Sequence, residues 1–246
     1  MKYLNIILTL FVTVLVSCSV DSTGGVSSVT DYPIITLNGD EVVYIEQGST
    51  YNEQGAIAME GENEIPTEIT YSSGSYYGNS GVDTNTPDQY TVSYSAVNAD
   101  GFAGNALRTV WVVPATGDLV NSIEGLYTAD AQRAPTFTPS SQYQDMEYVI
   151  ITKTGGNTYS ITHAIGGYYD MGRGYGPGYA AAGAIITAND IPSNDFSISQ
   201  AVFPIWGNTV DVTEFTVDPT TKMITFTGDG NFGNGTFKVQ LKQVQF

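Results

Sequence analysis

The chain has 246 residues, enough for one large or two ordinary domains, and a formal charge of −17 from 25 acidic and 8 basic side chains. That balance argues against nucleic acid, which needs clustered Lys and Arg, and against adhesion to anionic lipid through protein charge. The single cysteine, Cys18, excludes an internal disulfide and a cysteine-based metal site, while 17 Tyr and 10 Phe supply a packable core.

Residues 1–17 begin with Lys2 and continue into an apolar run from Ile6 to Val16, interrupted only by Thr9 and Thr13. A transmembrane helix needs about 20 apolar residues, so this shorter run is expected to be a signal peptide. It ends in Leu15-Val16-Ser17-Cys18, which resembles the lipobox of bacterial lipoproteins. The resemblance implies cleavage before Cys18, a lipid on that cysteine, and a membrane as the first partner. Residues 18–31 are rich in Ser, Thr and Gly without an apolar period and are expected to form a flexible tether.

From 32 to 114 the pattern is that of strands. In Tyr90-Thr91-Val92-Ser93-Tyr94-Ser95-Ala96 every second residue is apolar, which places Tyr90, Val92, Tyr94 and Ala96 on one buried face. Val42–Ile45 and Leu107–Val113 are β-branched runs, and Asn38-Gly39-Asp40, Gln47-Gly48 and Ala99-Asp100-Gly101 are turn signals between strands. An antiparallel sandwich is expected. The segments Pro33–Gly39, Gly48–Ala56, Thr86–Tyr90 and Arg108–Val112 together resemble the bacterial surface immunoglobulin-like domain, also found in pesticidal crystal proteins and Bacteroidetes lipoproteins. Such modules are spacers or adhesive units, and the resemblance implies no catalytic residues. Two departures stand out: Asp88 replaces the usual glycine after the Thr-Pro pair, and Tyr76-Tyr77 adds an aromatic loop.

Residues 115–120, opening on Ala115-Thr116-Gly117-Asp118, form the expected linker, with the two modules separable near Thr116. From 121 to 246 strands resume. Gly155-Gly156-Asn157 and Asp218-Pro219-Thr220-Thr221 are expected hairpin turns, and Phe237, Val239 and Leu241 share one face. The apolar phase slips by one between Val212 and Phe215, which predicts a bulge. No helical period stands out, so the second module is expected to be an antiparallel β-sandwich or lipocalin-like barrel. The opening Ile123–Tyr127, the Gly/Tyr stretch and the closing hairpins look like the C-terminal domain of a Bacteroidetes lipoprotein family of unknown function, in which it follows the same immunoglobulin-like module. That resemblance implies a position in the cell envelope at the outer membrane and, by association with glycan-utilisation genes, a glycan.

The candidate site is the segment Gly166–Tyr179, with Tyr168, Tyr169, Asp170, Arg173, Tyr175 and Tyr179, joined by Trp206 as a second platform. Aromatic rings hold the C–H faces of sugars while fixed polar groups bond the hydroxyls. The competing expectation is a packed Ω-loop whose rings cover the open end of the barrel. His163, the sole histidine, shares a face with Tyr159, Ile161 and Ile165 and is expected to be a satisfied core residue rather than a base. Acidic turns at Asp83, Asp88 and Asp100 lack a calcium ladder, so neither metal nor cofactor is expected. The expectation is a non-catalytic, lipid-anchored all-β protein that binds a glycan or another surface ligand. Its rivals are a docking subunit of an outer-membrane nutrient-uptake complex, with an envelope protein as partner, and a hydrolase built from carboxylates among Glu147, Asp170, Asp195, Asp211 and Glu214.

Overall fold

The fold was obtained as a computed structural model that describes residues 30–245; Cys18, the predicted signal peptide and nearly all of the tether lie outside the described residues. The N-terminal module is a sandwich. One sheet has the order β1 (Ile34–Leu37), β3 (Ala56–Glu60), β4 (Asn63–Ile65). The facing sheet has the order β2 (Val42–Glu46), β7 (Ala103–Val113), β6 (Asp88–Val97), β5 (Glu68–Tyr71). The alternation in β6 does what its period requires: Tyr90, Val92, Tyr94 and Ala96 are all buried. The β6–β7 hairpin closes through Gly101, whose φ of +87° suits glycine, and through the Asn98 side chain, which accepts the Phe102 N–H at 2.7 Å.

Two features of this module depart from the strand reading. The pairing of β2 with β7 is parallel, with Tyr44 opposite Trp111, so the sandwich is not wholly antiparallel. In addition, Arg108 on β7 points into the core, where it pairs with Glu53 and donates from Nε to the Asp40 carbonyl at 2.9 Å. The Glu53 carboxylate also accepts from the Tyr51 and Tyr94 phenols. A buried pair is tolerable only when its remaining donors and acceptors are satisfied, as here.

The C-terminal module is a single curled sheet of nine antiparallel strands. Its central strands are β8 (Gly125–Arg133), β9 (Met146–Gly155), β10 (Thr158–Ile161) and β11 (Ala184–Asp190) on one side. β16 (Thr236–Gln243), β15 (Met223–Gly230) and β14 (Thr209–Asp218) lie on the other, with the short β12 (Asp195–Ile198) and β13 (Ala201–Val202) at the edges. The curl brings Phe196 of β12 to 4.8 Å from Phe215 of β14, enclosing one core that includes Val149, Ile186, Phe203, Ile224 and Phe237. The bulge predicted between Val212 and Phe215 is present: register shifts between Thr213 and Thr216, and Glu214 takes a φ of +53°. The extra residue turns Phe215 inward, where it is buried.

The modules meet across an apolar junction of Trp111 and Val113 with Leu126, Tyr148 and Ile150. Trp111 and Tyr148 stand edge to face at 5.1 Å, and the Tyr44 and Tyr148 hydroxyls are 3.1 Å apart. Part of the stretch read as linker belongs to the C-terminal body. Leu119 is buried in its core, and Gln243 Nε2 donates to the Gly117 carbonyl at 2.9 Å. The aromatic loop of the first module also crosses the junction, for the Tyr77 hydroxyl lies 2.9 Å from Ser160 Oγ on β10.

Burial pushes the Tyr77 phenol up to about 12 from its ordinary value of 10.0, although the Ser160 hydrogen bond works the other way. The folded value is raised, so this contribution to stability is complete below pH 10.0 and is lost as pH climbs through about 12. A melting series between those values is expected to fall steadily, and Tyr77→Phe to lower the slope by up to about 1.4 kcal/mol per pH unit. An unchanged slope in that variant would mean that Tyr77 does not titrate with unfolding.

Candidate functional site

After β10 the chain leaves the sheet and folds over one end of the curled body. Gly166 and Gly167 make the bend with φ of +64° and +79°, a conformation that disfavours any side chain, and a Cβ on Gly167 would displace the Met171 methyl, which lies 1.9 Å away. A wide turn follows over Tyr168–Gly172, in which Gly172 N–H reaches the Gly167 carbonyl at 3.0 Å and Arg173 N–H the Tyr168 carbonyl at 3.1 Å. The segment then runs through Gly174 and Gly176 into a short helical turn at Pro177–Tyr179. A second loop, Phe203–Gly207, packs against it so closely that a Cβ on Gly178 would meet Ile205 at 2.6 Å.

The segment divides into a buried half and an open half. Tyr168, Tyr169 and Asp170 are 6–7 % exposed and face inward. Tyr168 stacks on Tyr143 at 4.0 Å, and Tyr169 contacts Phe203, Phe237 and Trp206. Asp170 accepts the Tyr76 hydroxyl at 3.0 Å and lies 2.9 Å from His163 Nε2. In this half the packed-loop reading describes the molecule. Tyr175 and Trp206, by contrast, are 48 % and 42 % exposed, Arg173 is exposed, and Tyr179 is partly so. The open rings are propped from below: Tyr169 lies edge-on to Trp206 at 4.9 Å and parallel to Tyr175 at 6.2 Å, and Tyr179 touches Trp206 at 4.8 Å.

His163 is the satisfied core residue its pattern suggested. It is fully buried, with Nδ1 2.7 Å from Thr162 Oγ1 and Nε2 on Asp170. Thr162, His163 and Asp170 thus form a hydrogen-bonded row of the kind that activates a nucleophile, but Thr162 Oγ1 already accepts the Ile150 N–H at 2.9 Å and is shut away from solvent. The Tyr76 ring closes the row from the other module, edge to face with the imidazole at 4.8 Å. Burial first, then the Asp170 carboxylate, holds the Tyr76 phenol well above the ordinary tyrosine range.

Two residues that the sequence reading passed over pack on the buried half. Tyr143 stacks on Tyr168, and Arg133 at the end of β8 sits 5.5–6.0 Å from the rings of Tyr168, Tyr169, Phe232 and Phe237. Rarity was the available signal, since the chain has only three arginines, Arg108, Arg133 and Arg173. Burial raises the Tyr168 phenol, yet its value is lowered on balance by the Tyr143 hydrogen bond and by Arg173 and Arg133. Two of the three arginines are thus gathered at this end of the sheet, in a protein that is otherwise strongly acidic.

Two further cavities among the described residues lie elsewhere. One of about 610 Å³ opens at the junction between β2 and residues 113–116. The other, of about 320 Å³, runs along the outer face of β8, β14, β15 and β16; Glu214 and Asp130 both line it, with Lys238 and Gln240. Glu214 accepts the Thr227 hydroxyl at 2.8 Å and Asp130 the Asp145 N–H at 2.8 Å.

Comparison with known proteins agrees with the order of the modules. A bacterial surface protein Ig-like domain matches residues 35–112. A family-specific C-terminal domain matches residues 116–243, more than half of the chain. Among solved structures, the crystal structure of the lipoprotein BT2262 from Bacteroides thetaiotaomicron is similar at 29 % identity and a TM-score of 0.62; the match covers 86 % of this chain and 100 % of that one. No curated protein matches.

Proposed function

From the premise that the chain belongs to the BT2262 family of surface lipoproteins, we propose that it is a non-catalytic envelope protein that binds a glycan through the open end of its C-terminal module. In this reading a lipid on Cys18 holds it at the outer membrane and the immunoglobulin-like module is the spacer. The observation that carries the reading is the pair of half-exposed rings, Tyr175 and Trp206, locked from below by Tyr169 and Tyr179. Rigid rings lose little side-chain entropy on stacking against a sugar. The two rings stand at 89° with centroids 6.4 Å apart, which makes a corner rather than a flat platform. A pyranose lying on one ring presents its edge to the other, so the surface suits a single residue or a chain end.

The test is a glycan array probed with the full chain, followed by titration of any hit. Trp206→Ala is expected to weaken binding about tenfold, equivalent to about 1.4 kcal/mol, with little change in melting temperature. Binding undiminished in that variant would remove the surface from consideration, and unfolding would assign the ring to the core.

A second reading, docking to an envelope protein, is supported by Ile205 and Val202, which are exposed beside Trp206 and have no ring to offer a sugar. Ile205→Asp separates the two: glycan binding survives it, while docking to a protein partner, read by cross-linking in cells, is lost.

A further inference from the structure

The same surface carries a charge that a neutral sugar would not use. Arg108 is matched by Glu53, but neither Arg133 nor Arg173 has a carboxylate within ion-pair distance among the described residues. The neighbours of Arg173 are phenols: its guanidinium lies 5.7 Å from the Tyr168 ring centroid, and the Tyr168 and Tyr175 hydroxyls favour its charged form. Arg133 gives Nε to the Asn234 carbonyl at 2.8 Å and a terminal nitrogen to the Gly233 carbonyl at 3.2 Å. In a chain with 25 acidic side chains, two guanidiniums held together by neutral groups are an arrangement that folding alone does not call for.

Resting on the glycan-binding reading above, we propose that the ligand is an acidic glycan ending in a uronic acid, whose carboxylate is taken by Arg173. A guanidinium has five N–H donors in a planar fork, whose geometry matches a bidentate bond to a carboxylate. Tyr175 links the two halves of the recognition, because it is an exposed ring for the sugar face and its phenol is among the groups that favour the charge on Arg173. Arg133, half-buried beneath the rings, adds positive potential without reaching the ligand.

The experiment uses the full chain in detergent on an array of polygalacturonate, alginate and hyaluronan, the methyl esters of each, and neutral glucans and galactans. Hits are expected among the uronates, with the methyl ester of any hit bound about tenfold more weakly. Arg173→Gln is expected to erase that difference, Arg173→Lys to restore part of it, and a rise from about 0.05 to about 0.5 M salt to weaken only the acidic ligand. Hits confined to neutral glycans, or an ester bound as tightly as its acid, overturn the acidic assignment and leave the glycan reading standing. A preference for the acid that survives Arg173→Gln assigns the carboxylate to another group. An array without hits removes both readings.

Discussion

Replacing Asp88 with alanine is expected to lower the melting temperature by about 10 °C, from a loss of about 3–4 kcal/mol. Asp88 is fully buried at the first position of β6. Its carboxylate accepts the N–H groups of Tyr76 at 3.1 Å, Tyr77 at 2.9 Å and Gln89 at 2.7 Å. Burial raises its pKa above the ordinary carboxylate value while those backbone donors work against the shift, so the carboxylate is buried at a cost that the loop's amides offset. The loop comes so close that a Cβ on Gly74 would lie 2.3 Å from the carboxylate. Alanine leaves three N–H donors without their acceptor and frees the loop that carries Tyr76 to Asp170 and Tyr77 to Ser160. Because the two effects share one loop, a cycle of Asp88→Ala with Tyr76→Phe is expected to be clearly non-additive in calorimetry. Asp88→Asn, which keeps an acceptor, should lose less than half as much. A loss under about 1 kcal/mol for alanine, or strict additivity, would show that the loop is held by something else. The two departures of the first module from the immunoglobulin-like pattern are thus one device: Asp88 shapes the loop, and the loop's two tyrosines grip the second module.

Trp111→Ala is expected to cost about 3–5 kcal/mol and to split a single thermal transition into two. The indole is 4 % exposed, although it lies on the face of β7 that points out of its own sandwich. It is buried by the neighbouring module, against Tyr148 with Leu126 and Ile150 around it. Truncation leaves a cavity in the surface that makes the two bodies melt together, and the connection itself cannot replace it, since only Ala115 and Thr116 lie between Pro114 and the bonded Gly117. Differential scanning calorimetry reads both the loss and the splitting. One undivided transition shifted by less than about 2 °C would place the coupling elsewhere. The same contact bears on proteolysis: a cut near Thr116 severs the chain without by itself separating the modules.

The sequence alone carried whatever is written in neighbouring residues. The buried faces of β6 and β16, the turn at Gly155–Asn157 and the bulge at Glu214 follow from a period of two and from local turn chemistry, and all are found. The core position of His163 followed in the same way from the alternation of Tyr159 and Ile161. What tertiary structure decided was every feature whose partners stand far apart in the chain. The parallel joining of β2 to β7, the burial of Arg108 against Glu53 and the bond from Tyr76 to Asp170 link residues 94 or fewer positions apart that no local pattern relates. The division of the Gly166–Tyr179 segment belongs to the same class. Glycines set no period along it, so each ring faces inward or outward according to what the sheet end and the Phe203–Gly207 loop bring against it: Tyr168 and Tyr169 meet Tyr143, Phe237 and Phe203, while Tyr175 meets solvent on one side. A strand's facing is dictated by its own alternation, but a loop's facing is dictated by its neighbours, and those neighbours exist only once the sheet has curled.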